Sequence, residues 1–228
     1  MWEPQLGSFP HAHTVDLPGF GTTPEPESID FRASVREALG EIERAVLVGT
    51  SLGARVALEF ALESPERVSA LVLVSPGLDG HDWSTEVHQF GAEEEAALER
   101  GDLEAAVETN LRMWLAGPRR SLDAIAPALR DLVAEMQRNA FEVQMGREVT
   151  IVPLDPPASQ RLADVRAPTL VITGDEDVSD IHEIADKLVR EIPGAQRVTM
   201  AGAAHLPNLE RPDEFDRIVL TFLREHDV

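Results

Sequence analysis

The segment Val46-Leu47-Val48-Gly49-Thr50-Ser51-Leu52-Gly53-Ala54-Arg55-Val56-Ala57 constrains the fold of this chain more than any other stretch. A short apolar run ends at Gly-x-Ser-x-Gly, and a small-residue pattern of helical period begins at once. A strand passing through a sharp turn into a helix accounts for that order, with the serine backbone strained at the turn and its hydroxyl lifted clear of the sheet. Glycine tolerates the angles of such a turn, and side chains at positions 49 and 53 are expected to collide with the neighbouring strand and helix. A buried strand followed by an ordinary glycine turn fits this segment equally well, so the distinction has to come from elsewhere in the chain.

A serine hydroxyl is a weak nucleophile until a base takes its proton, and the base needs a third group to orient it. On a strand–turn–helix serine the partners follow in the order serine, acid, histidine. Both types occur downstream at predicted strand ends. Pro168-Thr169-Leu170-Val171-Ile172-Thr173-Gly174 is an apolar strand running into the carboxylate cluster Asp175-Glu176-Asp177. Gln196-Arg197-Val198-Thr199-Met200 reads as a further strand, followed by Ala201-Gly202-Ala203-Ala204-His205-Leu206-Pro207. Between them the chain has room for one helix over about 179–191.

Rival motifs fit less well. A dinucleotide fingerprint needs Gly-x-Gly-x-x-Gly and an acidic residue about twenty positions on, whereas Gly49–Gly53 has no central glycine and the next strand ends at Ser75. A phosphate loop needs a lysine after its second glycine, and the lysine of this chain is Lys187. His11 and His13 are expected to share one face of a strand and to pair on a metal only if a third ligand exists, which the sequence does not supply. His81, His88, His182 and His226 lie in polar contexts and read as solvated surface groups.

With these pieces in order, the chain resembles the α/β-hydrolase family, in its capped esterase, lactonase and C–C hydrolase branch. Asp16-Leu17-Pro18-Gly19-Phe20-Gly21 is similar to the Asp-x-x-Gly-x-Gly loop after the family's fourth strand. Gly174-Asp175-Glu176-Asp177 is similar to its Gly-x-x-Asp turn, and Ala204-His205-Leu206-Pro207 with Glu210-Arg211-Pro212 to its histidine loop and final helix start. The resemblance implies Ser51 as nucleophile, His205 as general base and Asp177 as orienting acid, with Asp175 and Asp180 as rival acids. It implies the Leu52 backbone N–H as one oxyanion donor.

The family's core begins with three strands before the Asp-x-x-Gly-x-Gly loop, and a His-Gly loop after the third carries the second oxyanion donor. Here fifteen residues precede Asp16 and hold no His-Gly pair. An N-terminus lacking those first strands and the oxyanion loop is therefore the expectation, and with it a weakened oxyanion hole. The resemblance implies an α/β fold with a mostly parallel sheet flanked by helices and an inserted helical cap. It places the core at 1–78 and 164–228 and the cap at 79–163. Within the cap, Leu103, Val107, Leu111, Trp114 and Leu115 fall on one helical face, as do Leu122, Ile125, Leu129, Leu132 and Met136. Pro118 and Pro127 sit where breaks or first turns are tolerated. Trp114, Met113 and Met136 read mainly as cap packing, although a lid must present some such side chains to the pocket. Strand patterns are not expected again before Thr169, and Pro153–Pro157 reads as a short linker.

The 228 residues carry a formal charge of −21, which argues against nucleic acid and anionic membranes as partners. The chain has no cysteine, so disulfides, thiolate metal sites and a cysteine nucleophile are excluded. It has no tyrosine, so the cap tyrosines that family epoxide hydrolases use are absent, and Ser51 stands where those enzymes and the dehalogenases carry aspartate. No leader or long apolar stretch is legible, so a cytoplasmic location is the default expectation. The expected activity is hydrolysis of a small or medium ester or lactone through an acyl-enzyme, without cofactor or metal. A C–C bond hydrolase, an aminopeptidase or a cofactor-free perhydrolase fits the same three side chains, and so does a ligand-binding member with little turnover. The expected partner is the small-molecule substrate, and a homo-oligomer is compatible with the chain.

Overall fold

The computed structural model describes residues 1–24, 26–146 and 149–228. A single-turn 3₁₀ helix (Glu3–Gln5) and an irregular stretch lead to β1 (Ser28–Ile29) and α1 (Phe31–Leu39). Then come β2 (Ala45–Thr50), α2 (Leu52–Glu63) and β3 (Val68–Val74). A helical stretch follows: α3 (Thr85–Glu99), α4 (Leu103–Asn110), a π-helical segment (Leu111–Ala116) and α5 (Pro127–Gln144). After β4 (Thr150–Ile151), the alternation returns with β5 (Thr169–Gly174), α6 (Ser179–Glu191), β6 (Gln196–Met200), α7 (Pro207–Glu210) and α8 (Pro212–Glu225).

The main sheet has four parallel strands in the order β2-β3-β5-β6. The alternating pattern of β3 explains the two layers of helices around it. Leu71 and Leu73 point to one face, into a cluster with Leu58 and Phe60 of α2 and Ile184 and Leu188 of α6. Ala70, Val72 and Val74 point to the other, where Phe215, Val219 and Phe222 of α8 cover them. Both central strands are therefore mainly apolar, Ala70–Val74 in β3 and Leu170–Ile172 in β5, as a parallel sheet buried on both faces requires. The register aligns Thr50 with Val74, Val74 with Ile172, and Gly174 with Met200. β2 and β3 thus end together, β5 and β6 end together two residues further on, and the loops beginning at Ser51, Asp175 and Ala201 emerge at one edge. Ligands of open parallel sheets bind at that edge.

The helices between β3 and β5 hold a hydrophobic cluster of their own. Val107, Leu111, Leu115, Ile125, Val133 and Phe141 pack there with Leu206 and Leu209, from beyond β6. Ser84 caps α3 by accepting from Val87 N at 3.3 Å, Asp102 caps α4 by accepting from Ala105 N at 3.2 Å, and Pro127 opens α5.

Several expectations are corrected. Residues 11–16 form no strand, and His11 and His13 are exposed. A strand needs a neighbour for its backbone groups, and none pairs with this stretch among the described residues. Strand pairing does return before Thr169, because β4 pairs in parallel with β1 as a separate two-stranded sheet. Leu132 is exposed instead of joining the inner face of α5. Trp114 leaves the face it shares by spacing with Leu111 and Leu115, because the π-helical turn changes the angular step there. Pro153–Pro157 is not a free linker, since Leu154 is buried in the main core.

Candidate active site

Ser51 occupies the turn between β2 and α2 with φ 53° and ψ −115°. That region is sparsely populated for a residue with a side chain and costs about 1–3 kcal/mol unless the surroundings enforce it. Here they do. Ser51 N donates to Val74 O at 2.9 Å, and Ser51 O accepts from Arg55 N at 3.1 Å and from Gly77 N at 3.3 Å. A Cβ at Gly49 would overlap the Gly53 carbonyl, so glycine is required there for β2 to approach α2. Gly53 itself departs from expectation, because a Cβ at that position meets nothing within 4 Å. The close approach is one-sided: the backbone of residue 53 crowds residue 49, while its own outer side is open. Leu52 is the first residue of α2, so its N–H has no intrahelical acceptor.

His205 and Asp177 meet beyond the carboxyl ends of β6 and β5. His205 Nδ1 lies 2.9 Å from Asp177 Oδ2 and 3.2 Å from Oδ1, and both residues are buried. Asp177 Oδ1 also accepts from Val178 N at 2.9 Å. The close approach of the two loops is enforced by Gly174, where a Cβ would overlap the carbonyls of Ala203 and Ala204. The rival carboxylates are engaged elsewhere. Asp175 accepts from Gly202 N at 2.6 Å. Asp180 accepts from Ser84 N at 2.6 Å, from the Ser84 hydroxyl at 2.7 Å, and lies 3.3 Å from His81 Nε2. Burial alone would raise the Asp180 carboxyl, but the Ser84 and His81 contacts outweigh it and hold it below its ordinary value.

The Asp177 contact uses Nδ1 and leaves His205 Nε2 free to face a substrate or a hydroxyl. No hydrogen bond joins Ser51 to His205 among the described residues. Such contacts are often long in unliganded enzymes and tighten when substrate binds. Trp114 links the two residues. Its ring centroid lies 4.4 Å from that of His205, its carbonyl accepts from His205 N at 3.2 Å, and it walls a cavity of ≈ 340 Å³ that opens onto Ser51, Leu52 and Gly77.

Behind His205 stands a group of residues that no sequence motif signals. Arg120 donates to Glu210 at 2.8 Å, to the carbonyls of Leu115 and Ala116 at 2.9 and 2.7 Å, and to Gly202 O at 2.8 Å. The other Glu210 oxygen accepts from Ala204 N at 2.7 Å. Burial pushes the Glu210 carboxyl above its ordinary value, against the pull of the Ala204 N–H and Arg120. Gly117, at φ 76°, closes the contact, since a Cβ there would overlap the Glu176 carbonyl and press on Ala204. The π-helical segment is thus bound to the loops carrying Asp177 and His205.

The remaining histidines divide. His81 is not a solvated surface group, being bonded to Asp180 and packed edge-on against Trp83 at 5.1 Å. His182 Nδ1 accepts from Arg197 at 2.9 Å. His88 is exposed, whereas His226 is half-buried, its ring 4.7 Å from that of Phe222. Asp16, at the first glycine loop, holds Thr23, whose hydroxyl donates to its carbonyl at 3.1 Å, while Gln144 and Asn139 of α5 donate to the Gly19 and Gly21 carbonyls. No group of three His, Asp or Glu side chains among the described residues is arranged to hold a metal ion. No helix among them is long and apolar enough to cross a membrane.

A parallel sheet flanked by helices, with a strained serine turn at one strand end and a His–Asp pair at two others, defines a hydrolase architecture. The chain belongs to the alpha/beta hydrolase family, whose model matches residues 1–218. It is 31% identical over 222 residues to a pimeloyl-[acyl-carrier protein] methyl ester esterase of Yersinia enterocolitica, covering 93% of this chain and 83% of the relative. It is 29% identical over 228 residues to a 2-hydroxy-6-oxononadienedioate/2-hydroxy-6-oxononatrienedioate hydrolase of Burkholderia vietnamiensis, covering 92% and 75%. Among solved structures, MenH from S. aureus superposes with a TM-score of 0.74 at 21% identity, covering 100% of this chain and 89% of that one, a likeness of fold alone.

Proposed function

We propose that this chain is a serine hydrolase acting on a small or medium carboxylic ester or lactone. The observation that carries the reading is the His205–Asp177 contact of 2.9 Å at the same sheet edge where Ser51 is held at φ 53°. The esterase named among its relatives fits this reaction class. Asp177 fixes the Nδ1–H tautomer of His205, so Nε2 accepts the Ser51 proton as Oγ attacks the ester carbonyl. The new Oγ–C bond pushes the carbonyl electrons onto oxygen, where the free Leu52 N–H at the start of α2 donates. His205 then returns the proton to the departing alkoxide, leaving an acyl-serine and an alcohol. A water deprotonated by His205 attacks the acyl carbon, and the serine leaves with the proton restored. The helices of 79–163 act as the lid of this pocket, with Trp114 as the lid residue that meets His205.

A panel of nitrophenyl esters and lactones tests the reading. Ser51→Ala and His205→Ala are each expected to lower kcat by roughly 10³-fold or more, with unfolding midpoints close to wild type. Hydrolysis that survives both substitutions contradicts it.

A further inference from the structure

Trp83 and Trp114 bound the cavity over Ser51, and the same two indoles bound a second cavity of ≈ 470 Å³. That second cavity runs along α3, lined by Val87, His88, Gly91, Ala92 and Glu95. Val87, Gly91 and Glu95 are spaced four apart and share one helical face, so the groove follows about 12 Å of helix. Both indoles pack against an imidazole, Trp83 on His81 at 5.1 Å and Trp114 on His205 at 4.4 Å. Each cavity alone is toward the small end of the ~300–1,000 Å³ typical of ligand sites, and the two share Trp83 and Trp114 as walls.

Gly91 supplies an independent observation. It lies in the interior of the fifteen-residue helix α3, where glycine weakens a helix relative to alanine. Its φ is not positive, and a Cβ built on it meets nothing within 4 Å. Neither backbone conformation nor packing asks for glycine, and the space a side chain would fill is the groove itself.

We propose that this groove is a binding subsite for the extended apolar chain of a carboxylic ester whose reacting carbonyl sits over Ser51, with Gly91 as the specificity-determining position. The assignment rests on the serine hydrolase reading for the position of the carbonyl. The chain passes between Trp83 and Trp114 and lies along Val87 and Gly91, with Glu95 at the far end.

The test is Gly91→Leu, which improves helix propensity and is expected to fold at least as stably as wild type. Hydrolysis is measured for p-nitrophenyl acetate, butyrate, octanoate and decanoate, and for acetates of alcohols of the same lengths, so that either side of the ester is sampled. The expected result is an unchanged rate with p-nitrophenyl acetate and a loss of at least about tenfold in kcat/KM for the long members of one series. A binding measurement separates this from the catalytic reading. Methyl octanoate is titrated into Ser51→Ala and into Ser51→Ala/Gly91→Leu, read by tryptophan fluorescence, and weaker binding by the double variant is expected. Equal binding together with unchanged chain-length preference overturns the subsite. If wild type hydrolyses no ester, the serine reading fails while the titration still decides the groove.

Discussion

Trp114 contacts His205 twice, through a ring-to-ring approach of 4.4 Å and through its carbonyl, which accepts the His205 N–H at 3.2 Å. The backbone bond survives any side-chain substitution and the ring contact does not, so the two are separable. Trp114→Ala is expected to lower kcat by about tenfold, the scale of one aromatic pair, because the imidazole loses the surface that fixes its plane. Trp114→Phe is expected to recover most of the loss. Steady-state kinetics on a short ester, where the α3 groove is not engaged, checks this.

Asp177 is the carboxylate the structure places against His205, while Asp175 is turned to Gly202 N. Asp177→Asn is expected to keep the fold and lower kcat by about 10⁴-fold, since the amide favours the wrong imidazole tautomer. Asp175→Asn is expected to stay within a few-fold of wild type. Equal losses in the two variants contradict the assignment.

Arg120 and Glu210 join the π-helical segment to the histidine loop through a pair whose side chains are 18% and 6% exposed. Arg120→Ala leaves the Glu210 carboxylate without its cation. The expected loss of stability lies toward the lower end of the ~3–5 kcal/mol for breaking a buried pair, because Arg120 is partly solvated. Glu210→Gln is expected to be milder, as an amide oxygen still accepts from Ala204 N. Urea unfolding of both variants reads the difference.

Asp180 ties α6 to the start of α3 through Ser84, and those contacts hold its carboxyl below the ordinary value. The unfolded chain therefore binds the proton more readily, and this contribution is complete above the ordinary aspartate value. It is lost as pH falls through the lowered folded value. Asp180→Asn is expected to flatten that part of the stability curve, which denaturant midpoints taken from neutral into acid pH would show.

The local part of this site was legible in the chain. A strand, glycine turn and helix are encoded by neighbouring residues, the acid and histidine downstream single out the turn at Ser51, and the gap between them places the helix at Ser179–Glu191. Asp177 stood out from Asp175 only by its place in a motif, and its contact depends on Gly174 letting two loops touch. What stayed hidden is long-range. His81 reads as a surface residue until α6 brings Asp180 to it from 99 positions away. Arg120 looks like any charged helix end until its guanidinium meets Glu210, 90 positions on. The π-helical turn at Leu111–Ala116 leaves no periodicity of its own, so the direction of Trp114 could not be read from a 3.6-residue period. Gly53 misled for a related reason: the motif marks a close approach without saying which of its two glycines is crowded.

Covalent labelling with a fluorophosphonate, followed by peptide mapping, tests the central claim most directly. The account predicts one adduct, on the peptide carrying Ser51, abolished in Ser51→Ala and strongly slowed in His205→Ala. An unlabelled wild-type protein, or an adduct that persists undiminished in Ser51→Ala, would contradict it.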